Sequence, residues 1–286
     1  MAEVPCLLGT SSFTGWTPST DATVVTRILN NGGIIAGKAV CENLSRGAVS
    51  CTAATGQVHN PYAKGYSAGG SSSGTAALVG SGAVDMGIGC DQGGSIRIPA
   101  SLCGLYGFKA TFGLVPYTGI ASNDASVDFV GPITSTCMDC ANLLEAIAGV
   151  DGFDDRQIAG TPFLGSVPRY GEILWETQQQ GVRGMRIGIL KEGVELPLID
   201  PGVEAKFRDA VAGFEKLGAT VSEISIPLHG LGRNIYTVMS KMGNHMGMLG
   251  RATGRRQVML TDLFEKKSLP YTEEALQKVT SYSPGS

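Results

Sequence analysis

The chain has 286 residues, 43% of them hydrophobic and only 16% charged, with a formal net charge of −3. That is enough apolar material for one large domain or two modest ones. The lack of any basic run argues against nucleic acid or an anionic membrane surface as a partner. The longest apolar stretches, such as residues 143–150, are too short to span a bilayer, and MAEVPCLLGTSS lacks the regions of a signal peptide. Seven scattered cysteines fit reduced thiols in a cytoplasmic protein better than a disulfide framework. Glycine, at 41 residues, is the outlier, and it falls in discrete turns between apolar runs.

In chain order, residues 21–30 (DATVVTRILN) carry Val24, Val25, Ile28 and Leu29 on one helical face. Thr20 or Asp21 can cap the start, and Gly32 and Gly33 can end it. Residues 34–38 (IIAGK) read as a short buried strand, and residues 45–64 as a polar loop closing on HNPYAK. A helix is predicted over 72–80, a strand over 84–89 and an amphipathic helix over 139–148. Further on, MRIGIL (185–190) is a strand, 201–217 is a helix with proline in its first turn and Gly218 behind it, and ATVSEISI (219–226) alternates as a strand. Strand, helix, strand within about forty residues is a βαβ unit, so the class is α/β. The polar stretch 161–181 is a soft boundary, not strong enough to divide a single domain over 1–286.

Two serine clusters stand out: GYSAGGSSSGTAAL (65–78) and GCDQGGSIRIPASLCG (89–104). Each sets serine directly after paired glycines. At Gly93-Gly94-Ser95, successive N–H groups without side-chain obstruction can converge on one point, as a developing oxyanion requires. Asp91 and Arg97 flank this turn at a spacing that lets them pair and hold it. The plainer reading is two glycine-rich connections with serine caps. A rival is the GxSxG pattern around Ser72, with His229 or His245 as base, but a nucleophile elbow needs a strand entering the serine and a loop precedes it here. Cys137 to Cys140 is a lone CxxC at a helix start, read as two ordinary thiols. MSKMGNHMGML (239–249) reads as a packed helix with His245 its only good metal ligand. No Walker lysine follows a glycine-rich loop, so phosphate cradling is not expected.

Taken together, AGGSSSG followed by DQGGSIRIPASLCGLYGFKATFGLVPYTG resembles the amidase signature family, as do the upstream TDATVVTRILNNGGIIAGK and VHNPY. The resemblance implies an α/β fold in which a central mixed sheet is covered by helices on both faces. It implies hydrolysis of a carboxylic amide through an acyl-serine, without metal or cofactor, by a serine, cis-serine, lysine relay. Carried over by motif, Ser95 is the nucleophile and Ser71 the bridging serine after a cis peptide bond. Gln92, Gly93, Gly94 and Ser95 supply oxyanion N–H groups, Ser72, Asp91 and Arg97 support them, and Ser45 in ENLSRG is a pocket residue.

One element of the pattern is missing. The family's lysine belongs to a Lys-Asp pair shortly ahead of the segment that resembles Val4-Pro5, and no Lys-Asp dipeptide occurs in the 286 residues. Neither Lys38 nor Lys109 lies where the pattern wants a base. The expectation is therefore a domain lacking portions at both ends, impaired as an amidase, with uncovered apolar faces favouring association with itself or a helper chain. The alternative is a non-catalytic remnant that binds an amide or a partner protein.

Overall fold

The structure, a computed structural model, describes residues 1–195 and 198–248. Helix α1 spans Thr23–Asn30, α2 Ser73–Gly80, strand β1 Met86–Asp91, α3 Arg97–Leu102, β2 Tyr106–Gly107, β3 Phe129–Thr134 and α4 Cys137–Ile147. Then follow α5 Tyr170–Thr177, β4 Arg186–Leu190, α6 Lys191–Val194, α7 Pro201–Lys216, β5 Thr220–Ile224 and α8 Gly232–Met248. The described residues form two compact units, one of residues 1–171 with 240–248, the other within 172–239. The division falls inside the polar stretch read as a soft boundary. Among the described residues, no helix is long and apolar enough to cross a membrane.

The first unit is built on an antiparallel sheet in the order β1-β3-β2. Strand β1, MGIGCD, sets Gly87 and Gly89 in alternation with larger residues, and the pleat sends the two sets to opposite faces. Ile88 and Cys90 join Val130 in a core with Val24 of α1 and Leu143, Leu144 and Ile147 of α4. On the opposite face, Ile133 packs with Ala76 of α2 and Ile96, Ala100 and Cys103 around α3. This antiparallel sheet is thus covered by helices on both faces, as the resemblance implied. The register agrees, since Cys90 lies opposite Val130 and Gly87 opposite Ile133.

The glycine face of β1 is where α2 comes close. A Cβ on Gly87 would press into Thr75, and one on Gly89 would stand 2.9 Å from Ser72 Oγ and 2.9 Å from Ile133 Cδ1. Glycine is required there so that the start of α2 can rest on the strand backbone.

Two local expectations are corrected. Residues 34–38 form no strand, and Ile34 is 92% exposed. The apolar pair Ile34-Ile35 suggested burial, but no strand of the described residues pairs with it. Helix α1 is capped by Ala22 without a side-chain bond, because Asp21 Oδ1 instead accepts the Ala2 N–H at 2.7 Å. Gly32 does adopt the left-handed conformation, at φ +80°. Arg27, which the apolar pattern ignored, is buried and caps α4: its guanidinium donates to the carbonyls of Ile147, Ala148, Gly149 and Val150 at 2.7–3.0 Å.

In the second unit β4 and β5 pair in parallel, joined through α7. Asp200 caps α7 by accepting the N–H groups of Gly202 and Val203, with Pro201 at the first helical position. Residues 239–248 continue α8, but Met239 and Met242 are 39% and 40% exposed, so they are not core residues. The side chain of His245 and residue 249 lie outside the described residues.

Candidate active site

The site is assembled where β1 ends. Ser72, in the residue before α2, accepts the Cys90 N–H at 3.1 Å and donates its hydroxyl to the Cys90 carbonyl at 3.3 Å. Its own N–H donates to the Ser95 carbonyl at 3.3 Å. That bond joins the two serine clusters, whose Ser71 and Ser95 are 24 positions apart in sequence (95 − 71). The Ser72 hydroxyl is thus engaged on both sides by the strand backbone.

Asp91, the last residue of β1, is fully buried and organises the turn that follows. Its carboxylate accepts the N–H groups of Gly94 at 2.7 Å and Ile96 at 3.1 Å. It also takes a two-point bond from Arg97, Nε at 3.0 Å and Nη2 at 2.9 Å. Burial alone would raise its pKa, but the Arg97 bonds and the two backbone N–H groups outweigh it and hold the carboxyl below its usual range. The expected Asp91–Arg97 clamp is therefore present, and it is wrapped around half-buried Ser95.

Gly94 departs from expectation. Its N–H is spent on Asp91, so it is not free to face an oxyanion in this geometry. Its φ of +123° explains why glycine stands there. The N–H groups of Gly93 and Ser95 donate to no backbone or side-chain acceptor among the described residues.

Ser71 is 1% exposed and follows a cis peptide bond from Gly70. Its carbonyl accepts the Glu42 N–H at 3.0 Å. Glu42 is itself fully buried: Oε1 accepts the Cys51 N–H at 3.1 Å, while Oε2 has no partner among the described residues. That oxygen lies over Gly70, where a Cβ would be 2.6 Å from it. Ser45 sits three residues along the same loop, in the left-handed region at φ +55° next to Leu44 at φ +50°. The loop is held by Asn123, whose Nδ2 donates to the Leu44 carbonyl at 2.8 Å.

Gln92 is anchored through its side chain, Nε2 donating to Asp128 Oδ1 at 2.6 Å. Asp128 Oδ2 takes the Ser122 hydroxyl at 2.5 Å and the N–H groups of Asn123 and Asp124, each at 3.0 Å. Neither Glu42 nor Asp128 stood out in the sequence. A single acidic residue in a polar loop carries no signal that it will be buried, because the donors that gather on it come from irregular turns with no periodic pattern.

The lysines stand elsewhere. Lys38 Nζ donates to the Val4 carbonyl at 2.9 Å. Lys109 Nζ donates to the Ala110 carbonyl at 2.9 Å and lies 3.7 Å from the centre of the Phe129 ring. Burial, then the nearby Arg97 charge, lowers its pKa. Neither hydrogen-bonds to Ser71 or Ser95. Cys137 is exposed and Cys140 buried, both free thiols.

Comparison with known proteins bears on the family and the fold. The Amidase family model matches residues 1–278. The chain is 38% identical over 255 residues to an enantioselective amidase of Rhodococcus rhodochrous, covering 87% of this chain and 47% of that protein. It is 39% identical over 220 residues to a glutamyl-tRNA(Gln) amidotransferase subunit from Natronomonas pharaonis, covering 77% of this chain and 50% of the other. The chain thus spans about half the length of the curated relatives it matches. Among solved structures, a glutamyl-tRNA(Gln) amidotransferase subunit from Thermotoga maritima superposes with a TM-score of 0.76 at 30% identity, over 94% of this chain and 55% of that one. Peptide amidase of Stenotrophomonas maltophilia superposes with a TM-score of 0.79 at 28% identity, over 99% and 59%. With its glycine-lined strand, its paired serine clusters and a family match across nearly its whole length, the chain belongs to the amidase family.

Proposed function

We propose that this chain carries the nucleophile site of an amide hydrolase, with Ser95 as nucleophile and Ser71 as the serine that relays its proton. The observation that carries the reading is the Ser72 N–H bond to the Ser95 carbonyl, which ties the residue beside Ser71 to the clamped Gly93-Gly94-Ser95 turn. Ser95 Oγ attacks the amide carbonyl carbon, a C–O bond forms, and the carbonyl π electrons move onto oxygen. The N–H groups of Gly93 and Ser95 suit that oxyanion. The hydroxyl proton leaves through Ser71 to a base. Collapse breaks the C–N bond, the amine leaves with a proton, and water then releases the acid from the acyl-serine.

Among the described residues no side chain is bonded to Ser71 as that base, and we infer that the chain by itself turns over amides slowly at best. Removing one member of a concerted set leaves only residual catalysis. Ammonia release from acetamide and benzamide, by this chain beside the same chain preceded by a Lys-Asp segment, tests this. Release from the extended form alone supports the reading. Silence from both folded proteins counts against hydrolysis and for a binding remnant. Equal release from both means that another group serves Ser95 as base.

A further inference from the structure

Gln92, Asp128 and Asn123 form a continuous path between two parts of the site that have no direct bond. Asp128 divides its donors cleanly between its two oxygens. Oδ1 takes only the Gln92 amide, and Oδ2 takes Ser122 and the backbone of Asn123 and Asp124. The side chain of Asn123 then reaches across to the Leu44 carbonyl, one residue before Ser45. Gln92 directly precedes Gly93 and the nucleophile turn. We propose that Asp128 is a positioning residue that fixes the head of the Gly93-Gly94-Ser95 turn, through Gln92, against the loop that carries Ser45. The proposal rests on the reading of Ser95 as nucleophile and goes beyond it by naming what holds the two walls together.

The bond is also conditional on charge. Oδ1 has one donor and Oδ2 has three, so an added proton goes to Oδ1. A protonated Oδ1 is a much weaker acceptor and becomes a donor, so the Gln92 amide turns over to present Oε1 or its bond loosens. Asp128 is 3% exposed, and burial raises its pKa to about 6 against the hydrogen bonds of Ser122, Asp124 and Gln92. The groups facing it are Cys90 on β1, Tyr117 after β2, and Arg156 with its partner Asp154 beyond α4, besides Asp124 in its own loop. Burial pushes Cys90 and Tyr117 upward, so both stay neutral while Asp128 titrates. The tie to Gln92 is therefore made above about pH 6 and broken or reversed below it.

The test is a pH titration of the 15N-labelled chain between pH 4.5 and 8, following the Gln92 side-chain amide, identified by its disappearance in Gln92→Leu. The expected result is one transition with a midpoint near 6 that is absent from Asp128→Asn. A Gln92 amide that does not shift in the wild type, or that shifts equally in Asp128→Asn, overturns the proposal. Labelling of the chain by a fluorophosphonate at pH 7.5 supplies a second readout. Asp128→Asn is expected to label about tenfold more slowly with a near-native melting temperature, and Gln92→Leu to match it. Unchanged labelling in both also overturns the proposal. Should Asp128→Asn fail to fold, the wild-type titration and Gln92→Leu decide. A wild-type chain that does not label while Gln92 titrates overturns the reading of Ser95 and upholds the tie.

Discussion

Asp91 is the residue on which the candidate site turns, because one carboxylate satisfies two backbone donors and a guanidinium at once. Asp91→Ala strands all of them and is expected to cost about 3 kcal/mol in urea unfolding, at roughly 1–3 kcal/mol per buried group left unpaired. Arg97→Ala is expected to cost about 1 kcal/mol, since its side chain is 52% exposed and water replaces much of what is lost. The two buried carboxyls act oppositely with pH. Asp91, held below its ordinary 3.8, stabilises the fold above that value, and this is lost as pH falls through its folded pKa. Asp128, raised to about 6, favours the fold below 3.8 and loses that contribution as pH rises to 6. The stability difference between wild type and Asp128→Asn should therefore shift against the wild type from pH 4 to pH 6, and a flat difference would contradict the assignment. The Asp91–Arg97 clamp was legible because opposite charges flank a pair of glycines. Glu42 and Asp128 were not, because the donors that gather on them sit in irregular turns, which leave no periodic trace.

Among the elements, the close contact of α2 with β1 determines the site. Gly89→Ala would push a methyl group into Ser72 Oγ and Ile133 Cδ1, both 2.9 Å away. It should cost about 1–3 kcal/mol, as overpacking typically does, and should slow labelling of Ser95 because Ser72 bonds both Cys90 and Ser95. Gly82→Ala, with nothing within 4 Å of the added carbon, controls for a general glycine effect, though its φ of +71° adds local strain. Loss of labelling in Gly82→Ala alone would contradict the packing argument. Helices α2, α4 and α7 and strands β1, β4 and β5 were readable from apolar period and caps. Strand β3 was hidden because Gly131 and Pro132 interrupt its pattern. Pro132 is tolerated because β2 ends at Gly107, and the neighbouring Phe108 N–H needs only its carbonyl. Helix α3 was missed because it has six residues with Pro99 in its first turn. Residues 34–38 failed the other way, since composition suggests a strand but pairing needs a neighbour.

At the scale of the whole molecule, the family is shown across residues 1–278, while the length matched is about half of each curated relative. The sequence carried the family through two serine clusters whose spacing and glycines are hard to meet by chance. It also carried the gap, since a Lys-Asp pair is absent from all 286 residues. The chain therefore has a clamped turn, a buried Ser71 and, among the described residues, no side chain bonded to it as a base, which under the proposed roles predicts a Ser95 that is positioned but weakly activated. The most direct measurement is fluorophosphonate labelling followed by peptide mapping, with Ser95→Ala and Ser71→Ala beside the wild type. A slow, single adduct on Ser95 is expected, absent from Ser95→Ala and slower still in Ser71→Ala. An adduct on Ser72 or another serine, or Ser95 labelling that ignores the loss of Ser71, would contradict it.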